Sequence, residues 1–237
     1  SLFFDRPPVF MMANPAPPST TFILASQSPR RRELFALLGY PYESLVPDVD
    51  EDVHLAAEPA TYVRLTARQK AEAIANSLPA DRRLIVAADT TVALDGAIMG
   101  KPVDDDEAWS MLAALRGRDH QVHTGLCVLD PTTGREFATV ATADVTMRDY
   151  NDVEIAAYIA TGDPFDKAGA YAIQHPIFRP VVAVAGCYPA VMGLPLCDLI
   201  PLFRRLGLPD RFDPAALAAA HGGFIHACPS SSVWYNV

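Results

Sequence analysis

Long apolar runs are missing from this chain. No stretch of about 18 consecutive apolar residues occurs, so no membrane-spanning helix is expected. Positive charge is scarce as well: 19 Lys and Arg stand against 28 Asp and Glu, a formal net charge of -9. That balance argues against binding a nucleic-acid polymer or an anionic membrane surface, while leaving room for a local basic pocket. Only four cysteines occur, Cys127, Cys187, Cys197 and Cys228, and no two form a C-x-x-C pair. They read as thiols of a reducing cytoplasm, with a disulfide or a zinc site as the alternative. His120, His123, His175, His221 and His226 lack the H-E-x-x-H spacing. Walker, Rossmann and G-x-S-x-G patterns are absent too, so zinc, nicotinamide and serine-hydrolase chemistry have no motif to rest on.

What is present is a globular composition. Half of the 237 residues are hydrophobic and 20% are charged, enough to bury a sizeable core. Residues 1–20 carry Pro7, Pro8, Pro15, Pro17 and Pro18 and read as a disordered leader rather than a signal peptide. Folding is expected from Thr21 to Gly207, with 208–237 as a peripheral tail rich in Pro, Ala, Gly and Ser. Within 21–207 the pattern predicts strands at 21–25, 42–46, 84–88, 91–94, 120–129, 136–147 and 181–185. Helices are predicted at 29–38, 59–77, 104–115, 152–160 and 195–206, several behind a capping Ser, Asp or Asn. Helices and strands alternate, but Asp95-Gly96 and Pro131–Gly134 mark hairpins. The fold class is therefore α/β with a mixed sheet.

Three segments carry chemistry. In Ser26-Gln27-Ser28-Pro29-Arg30-Arg31-Arg32, a strand runs into a helix start whose free N–H groups attract anions. Three arginines there oppose the helix dipole, at roughly 0.3–1 kcal/mol each when exposed. A bound polyphosphate reverses that penalty, because the guanidinium fork fits phosphate oxygens. The second segment is the buried run Leu84–Ala88 followed by Asp89-Thr90, with Lys101 returned toward it by a hairpin. A carboxylate at the exit of a buried strand suits metal or water activation, and the lysine suits phosphate; a structural salt bridge is the other reading. The third is the loop Gly162–Gln174, where Asp166 and Lys167 lie between glycines and Gln174 offers an amide to a base edge. Glu51, in an acidic stretch, is a further candidate for a divalent cation, and Lys70 for phosphate.

Together these segments resemble the Maf family of nucleoside triphosphate pyrophosphatases. The resemblance rests on Leu24–Arg31, Ala88–Val92, Gly100-Lys101-Pro102, His123-Thr124-Gly125, Asp163–Tyr171 and Val191–Pro195, in family order. It implies a Maf/ITPase-like fold, an elongated mixed sheet flanked by helices, with two lobes and a central cleft. It implies hydrolysis of a nucleoside triphosphate to monophosphate and pyrophosphate with Mg²⁺ or Mn²⁺. By this resemblance Asp89 is the catalytic acid. Ser28, Arg30, Arg31 and Lys101 hold phosphate, and Lys70 and Lys167 line the same cleft. Asp89, Glu51 and Asp166 are the metal candidates. Arg30, Thr90 and Gln174 match the positions that separate substrate subgroups, and their identities resemble the dTTP/UTP branch. A homodimer is also implied. Two other functions stay open: a nucleotide-binding regulator of septum formation that needs no turnover, and a pyrophosphatase for a modified nucleotide such as 7-methyl-GTP. After Gln174 the chain departs from the family, with His175–Pro180 where glycines are usual.

Overall fold

The computed structural model describes residues 21–51, 57–79 and 81–222. The leader 1–20 and residues 223–237, which hold His226 and Cys228, lie outside the described residues. Strands β1 (Phe22–Ala25), β2 (Tyr42–Leu45), β3 (Leu84–Leu94), β4 (Ala97–Met99), β5 (Asp119–Asp130), β6 (Arg135–Met147) and β7 (Val181–Ala185) form one sheet. The order is β2-β1-β3-β5-β6-β7, with β4 pairing β3. β2, β1 and the start of β3 are parallel; β3, β5, β6 and β7 are antiparallel neighbours. This is the expected mixed α/β sheet.

Helices α1 (Pro29–Ala36) and α2 (Pro59–Ser77) connect the parallel strands, because parallel neighbours need a crossover. The β3–β4 connection is a two-residue turn in which Asp95 and Gly96 both have positive φ, 52° and 81°. That is the geometry an Asp-Gly hairpin supplies at low cost. Further helices are α3 (Asp105–Leu115), α4 (Asp152–Ile159), α5 (Tyr188–Val191), α6 (Leu196–Arg205) and α7 (Pro214–Ala219). Asp104 caps α3, and Asn151 with Glu154 forms a capping box on α4.

Three apolar clusters define two lobes. On one face of the parallel strands, Phe22, Phe35 and Phe203 bring α1 and α6 onto β1, with the Phe22 and Phe203 rings stacked 4.7 Å apart. On the opposite face, Ala67, Ala71 and Ile74 of α2 cover Ile23, Ile85 and Ala87. The second lobe packs α3 and α4 around Leu112, Tyr150 and Ile155. β3, β5 and β6 run through both lobes and tie them together.

Two expectations are corrected. The segment 84–94 is one continuous strand rather than two, so Asp89 lies in mid-strand, not at a strand exit. The reason is β5, which pairs with β3 without interruption from Ile85 to Ala93. The tail expected to be peripheral from 208 is in part core: Leu208, Leu217 and His221 are buried. α7 is short, but Leu217 closes the cluster under α6, and burying that side chain outweighs the small, Pro- and Ala-rich composition around it.

Candidate active site

The other edge of β3 decides where the site lies. β1 pairs with residues Leu84–Ala87, and β4 with Val92–Leu94. Between these two pairings the strand has β5 on one side, and among the described residues no strand pairs with its opposite edge at Ala88–Thr91. Side chains alternate across a strand, so Asp89 points to the α2 face and Thr90 to the α1 face. The gap in the ladder lets one cavity reach both. It also lies beyond the carboxyl end of β1, where crevices form in sheets of this kind.

Ala25 ends β1, and Ser26–Ser28 lead into α1. Ser28 caps that helix, its hydroxyl accepting from Arg31 N at 3.4 Å. Arg30 and Arg31 follow in a first turn that holds no acid. A cavity of about 330 Å³ is lined by Ser28, Arg30, Arg31, Glu51, Lys70, Asp89, Thr90, Lys101 and Asp166. Thus residues that sequence reading assigned from separate segments share one wall. The Asp95-Gly96 hairpin carries Lys101 back, and Gly169 N donates to Gly100 O at 3.0 Å, locking the strand end to the third segment.

Asp89 and Lys70 form the buried centre. Lys70 Nζ donates to Asp89 Oδ1 at 2.6 Å and stands 2.8 Å from Glu51 Oε1. Asp89 and Lys70 are each 5% exposed. Removing Lys70 costs about 3–5 kcal/mol, because the Asp89 charge is then left buried alone, whereas Lys70 keeps Glu51 if Asp89 is neutralised. Burial works to raise the Glu51 carboxyl, but the charges of Lys70, Lys101 and Arg31 outweigh it and hold Glu51 below its ordinary range.

Lys70 reaches Asp89 because α2 lies unusually close to the sheet. Asp89 is the register partner of Gly125 on β5. A Cβ on Gly125 would stand 2.2 Å from the Val63 carbonyl oxygen of α2, so only glycine permits this approach. Lys70 is two turns further along the same helical face. The motif containing Gly125 was visible in the sequence, but its role was not, because the role depends on a helix 60 residues upstream.

On the other face, Arg31 is held by a directional chain. Its Nε donates to Gly193 O at 2.8 Å and its Nη2 to Thr90 Oγ1 at 3.1 Å. Thr90 and Thr124 hydroxyls are 2.9 Å apart, and Thr124 Oγ1 donates to Ala190 O at 2.7 Å. Because Thr124 gives its proton to a carbonyl, Thr90 must be the donor to Thr124. Burial pushes the Arg31 guanidinium below the usual arginine range, opposed by Asp89 and Glu51. Sequence reading missed Thr124 and the Gly193 carbonyl as partners of this arginine.

The Gly162–Gln174 loop closes a smaller arm of about 140 Å³, which is lined by Thr90, Val122, Tyr171, Ile173, Gln174 and Met192 among others. Gln174 is exposed on its rim. Arg30 Nη2 lies 3.9 Å from Asp166 Oδ2 across the mouth. Lys167, expected to line the same cleft, lies in the wall of this arm with its ammonium held by its own loop. Its ammonium contacts Asp163 O at 2.6 Å, Asp163 Oδ1 at 2.9 Å and Asp166 Oδ1 at 2.5 Å. Three donors meet three acceptors, so Lys167 shapes the loop rather than reaching out of it. Tyr158 completes that anchor by donating to Asp163 Oδ2 at 2.7 Å. The three carboxylates named as metal candidates line the same cavity but divide between two ion-pair centres: Asp89 and Glu51 meet at Lys70, while Asp166 pairs with Arg30 and Lys167.

Two lobes on a mixed sheet, with cations gathered beside a buried acid at an open strand edge, define an α/β protein with an anion-receptive cleft. Residues 21–206 match the Maf-like protein family, and the chain belongs to that family. It is 45% identical over 202 residues to a dTTP/UTP pyrophosphatase of Nitratidesulfovibrio vulgaris, covering 84% of this chain and 94% of that one. A dTTP/UTP pyrophosphatase of Chlorobaculum parvum is 44% identical over 187 residues, covering 78% and 93%. Among solved structures, a nucleoside-triphosphatase (dITP/XTP pyrophosphatase) of Mycobacterium abscessus matches with a TM-score of 0.37 and 19% identity, covering 55% of this chain and 75% of that one.

Proposed function

We propose that this protein hydrolyses nucleoside triphosphates between the α- and β-phosphates, releasing a monophosphate and pyrophosphate, with dTTP and UTP as its substrates. The observation that carries this reading is the single cavity shared by Arg30, Arg31, Lys101 and the Asp89–Lys70–Glu51 cluster. The relatives named dTTP/UTP pyrophosphatase support the same chemistry. A binding-only regulator would need the cations but has no use for a carboxylate held in mid-strand at the cost of burial.

In this reading the triphosphate lies along the start of α1. Ser28 and the helix N–H groups meet it, and Arg30, Arg31 and Lys101 offset the charge that develops on the departing pyrophosphate. Arg31 commits two N–H donors to Gly193 and Thr90, so the rest of its fork is preorganised for a ligand. Asp89 orients or deprotonates the water that attacks the α-phosphorus in line, and Lys70 fixes the carboxylate's position. The base enters the smaller arm, where Gln174 reads its edge and Thr90 sets the width.

A divalent cation fits the donor chemistry at Asp89 and Glu51, because hard oxygens suit Mg²⁺ or Mn²⁺ and both carboxylates already face one cationic centre, Lys70 Nζ. When bound it would polarise phosphate oxygens and neutralise their charge. Asp166 pairs with Arg30 and Lys167 rather than with Lys70, so it stands outside this donor pair.

The test is a panel of dTTP, UTP, CTP, GTP and 7-methyl-GTP with Mg²⁺ or Mn²⁺, with pyrophosphate and orthophosphate measured separately. Pyrophosphate with dTMP or UMP is the expected result. Orthophosphate with a diphosphate product, or binding with no turnover on any member, overturns the proposal.

A further inference from the structure

Outside the lining of the cleft, Cys187, Cys197 and His221 converge from three elements. Cys187 precedes α5, Cys197 lies in the first turn of α6, and His221 follows α7. One donor atom from each lies within 4.8 Å of the others, and all three residues are buried at 5%, 2% and 0% exposure. No spacing rule finds this set, because Cys187 and Cys197 flank a turn and His221 arrives only after α7.

The histidine is oriented for ligation. Its Nδ1 stands 2.9 Å from Leu217 O, a carbonyl that can only accept, so Nδ1 carries the proton. The neutral ring then presents an unprotonated Nε2, which points at Cys197 Sγ across 3.5 Å. A backbone carbonyl fixing one imidazole nitrogen while the other faces a thiol is the outer support that metal-binding histidines use. A tetrahedral ion with roughly 2.3 Å bonds to sulfur and 2.0 Å to nitrogen places its donors roughly 3.5–3.8 Å apart. The Cys197 Sγ to His221 Nε2 distance of 3.5 Å already falls at that spacing, and the other donor distances stay within 4.8 Å.

We propose that Cys187, Cys197 and His221 bind one thiophilic divalent cation of the zinc class. Two thiolates and a neutral imidazole make the bound ion electrically neutral, which suits a site inside the apolar cluster of Leu194, Leu196, Leu199 and Leu217. On binding, both thiols release their protons to solvent, two S–M bonds and one N–M bond form, and no electron is transferred. Among the described residues the donors number three, and a tetrahedral ion takes a fourth ligand besides them. The ion is a staple: it joins α7 to the Cys187–Leu196 segment that supplies the Ala190 carbonyl to Thr124 and the Gly193 carbonyl to Arg31. This site differs in chemistry from the oxygen donors at Asp89 and Glu51.

The experiment adds Co²⁺, then Zn²⁺, to the reduced, metal-free full chain. One equivalent of Co²⁺ should produce thiolate-to-cobalt charge-transfer absorption with tetrahedral ligand-field bands, and one equivalent of Zn²⁺ should abolish both. Zn²⁺ should also slow alkylation of Cys187 and Cys197 by mass spectrometry. Cys187→Ser with Cys197→Ser should lose the charge-transfer band, while Cys127→Ser, on the opposite face of the sheet, should keep it. Should the double variant fail to fold, the wild-type cobalt spectrum and the alkylation protection decide alone. Oxygen-only cobalt spectra in the wild type, a band that survives the double substitution, or a Cys187–Cys197 disulfide in the protein as isolated would overturn the proposal.

Discussion

Lys70 Nζ sits 2.6 Å from Asp89 Oδ1 and 2.8 Å from Glu51 Oε1, so one buried cation serves two carboxylates. The arrangement separates the chemistry of Asp89 from its structural cost. Asp89→Asn removes a charge but leaves Lys70 paired with Glu51. Turnover of dTTP should fall by at least ~10², the usual scale for a general base, while the thermal midpoint stays near wild type. Pyrophosphate release at a near-normal rate would take Asp89 out of the reaction.

Lys70→Met should behave in the opposite way. It strands Asp89 in a buried position and should destabilise the fold by about 3–5 kcal/mol in urea unfolding. Combined with Asp89→Asn, the loss should be smaller than the sum of the single losses, since the stranded charge is gone. Strict additivity in that double-mutant cycle would mean the two residues do not interact.

Gly125→Ala tests the close approach of α2. The added methyl meets the Val63 carbonyl, which is backbone and cannot rotate aside. A cost of about 1–3 kcal/mol is expected, the usual range for overpacking, together with reduced turnover because Lys70 is displaced from Asp89. Wild-type stability would show that α2 slides freely on the sheet.

Thr90→Val breaks the chain from Arg31 to Thr124 and leaves the guanidinium without one of its two protein acceptors. KM for dTTP should rise more than kcat falls, because the arginine loses its position rather than its charge. Thr90→Ser, which keeps the hydroxyl, should restore most of the affinity. Equal kinetics for the Val and Ser variants would sink the relay.

A separate prediction concerns pH. Burial pushes the His120 imidazole down to about 4, with Asp119 opposing, and its Nε2 lies 2.7 Å from Tyr171 Oη. Between the unfolded histidine value of about 6.5 and the folded one, the unfolded chain binds the extra proton, so stability falls as pH drops through that window. Wild type should lose on the order of 2 kcal/mol more than His120→Gln between about pH 7.5 and about pH 5. Parallel pH profiles for the two proteins would contradict this.

Much of the site was legible because its residues lie in short local patterns. Ser28-Pro29 marks a helix start, while the arginines where acids are usual and the carboxylate interrupting an apolar run each conflict with local preference. Such conflicts concentrate where a ligand compensates them. Lys167 lines the smaller arm, but its partners were not read from the sequence: Asp163, four residues earlier, and Asp166 hold its ammonium within the loop. Gly125, Thr124 and the Gly193 carbonyl carried no local signal of what they touch, since the hydrogen-bond partners of Thr124 and Gly193 lie 34 to 162 residues away and Gly125 meets the backbone of a distant helix.

By itself the sequence determined the alternation of helices and strands, the caps, the Asp-Gly hairpin and the residue types needed at an anion site, because each depends on neighbours within one or two turns of chain. Tertiary structure alone decided that β1 and β4 leave Ala88–Thr91 open at the edge, that Asp89 shares Lys70 with Glu51, and that Cys187, Cys197 and His221 meet. Those outcomes depend on which strands run side by side and how closely a helix descends on them. Long-range packing fixes both, and no local pattern encodes it.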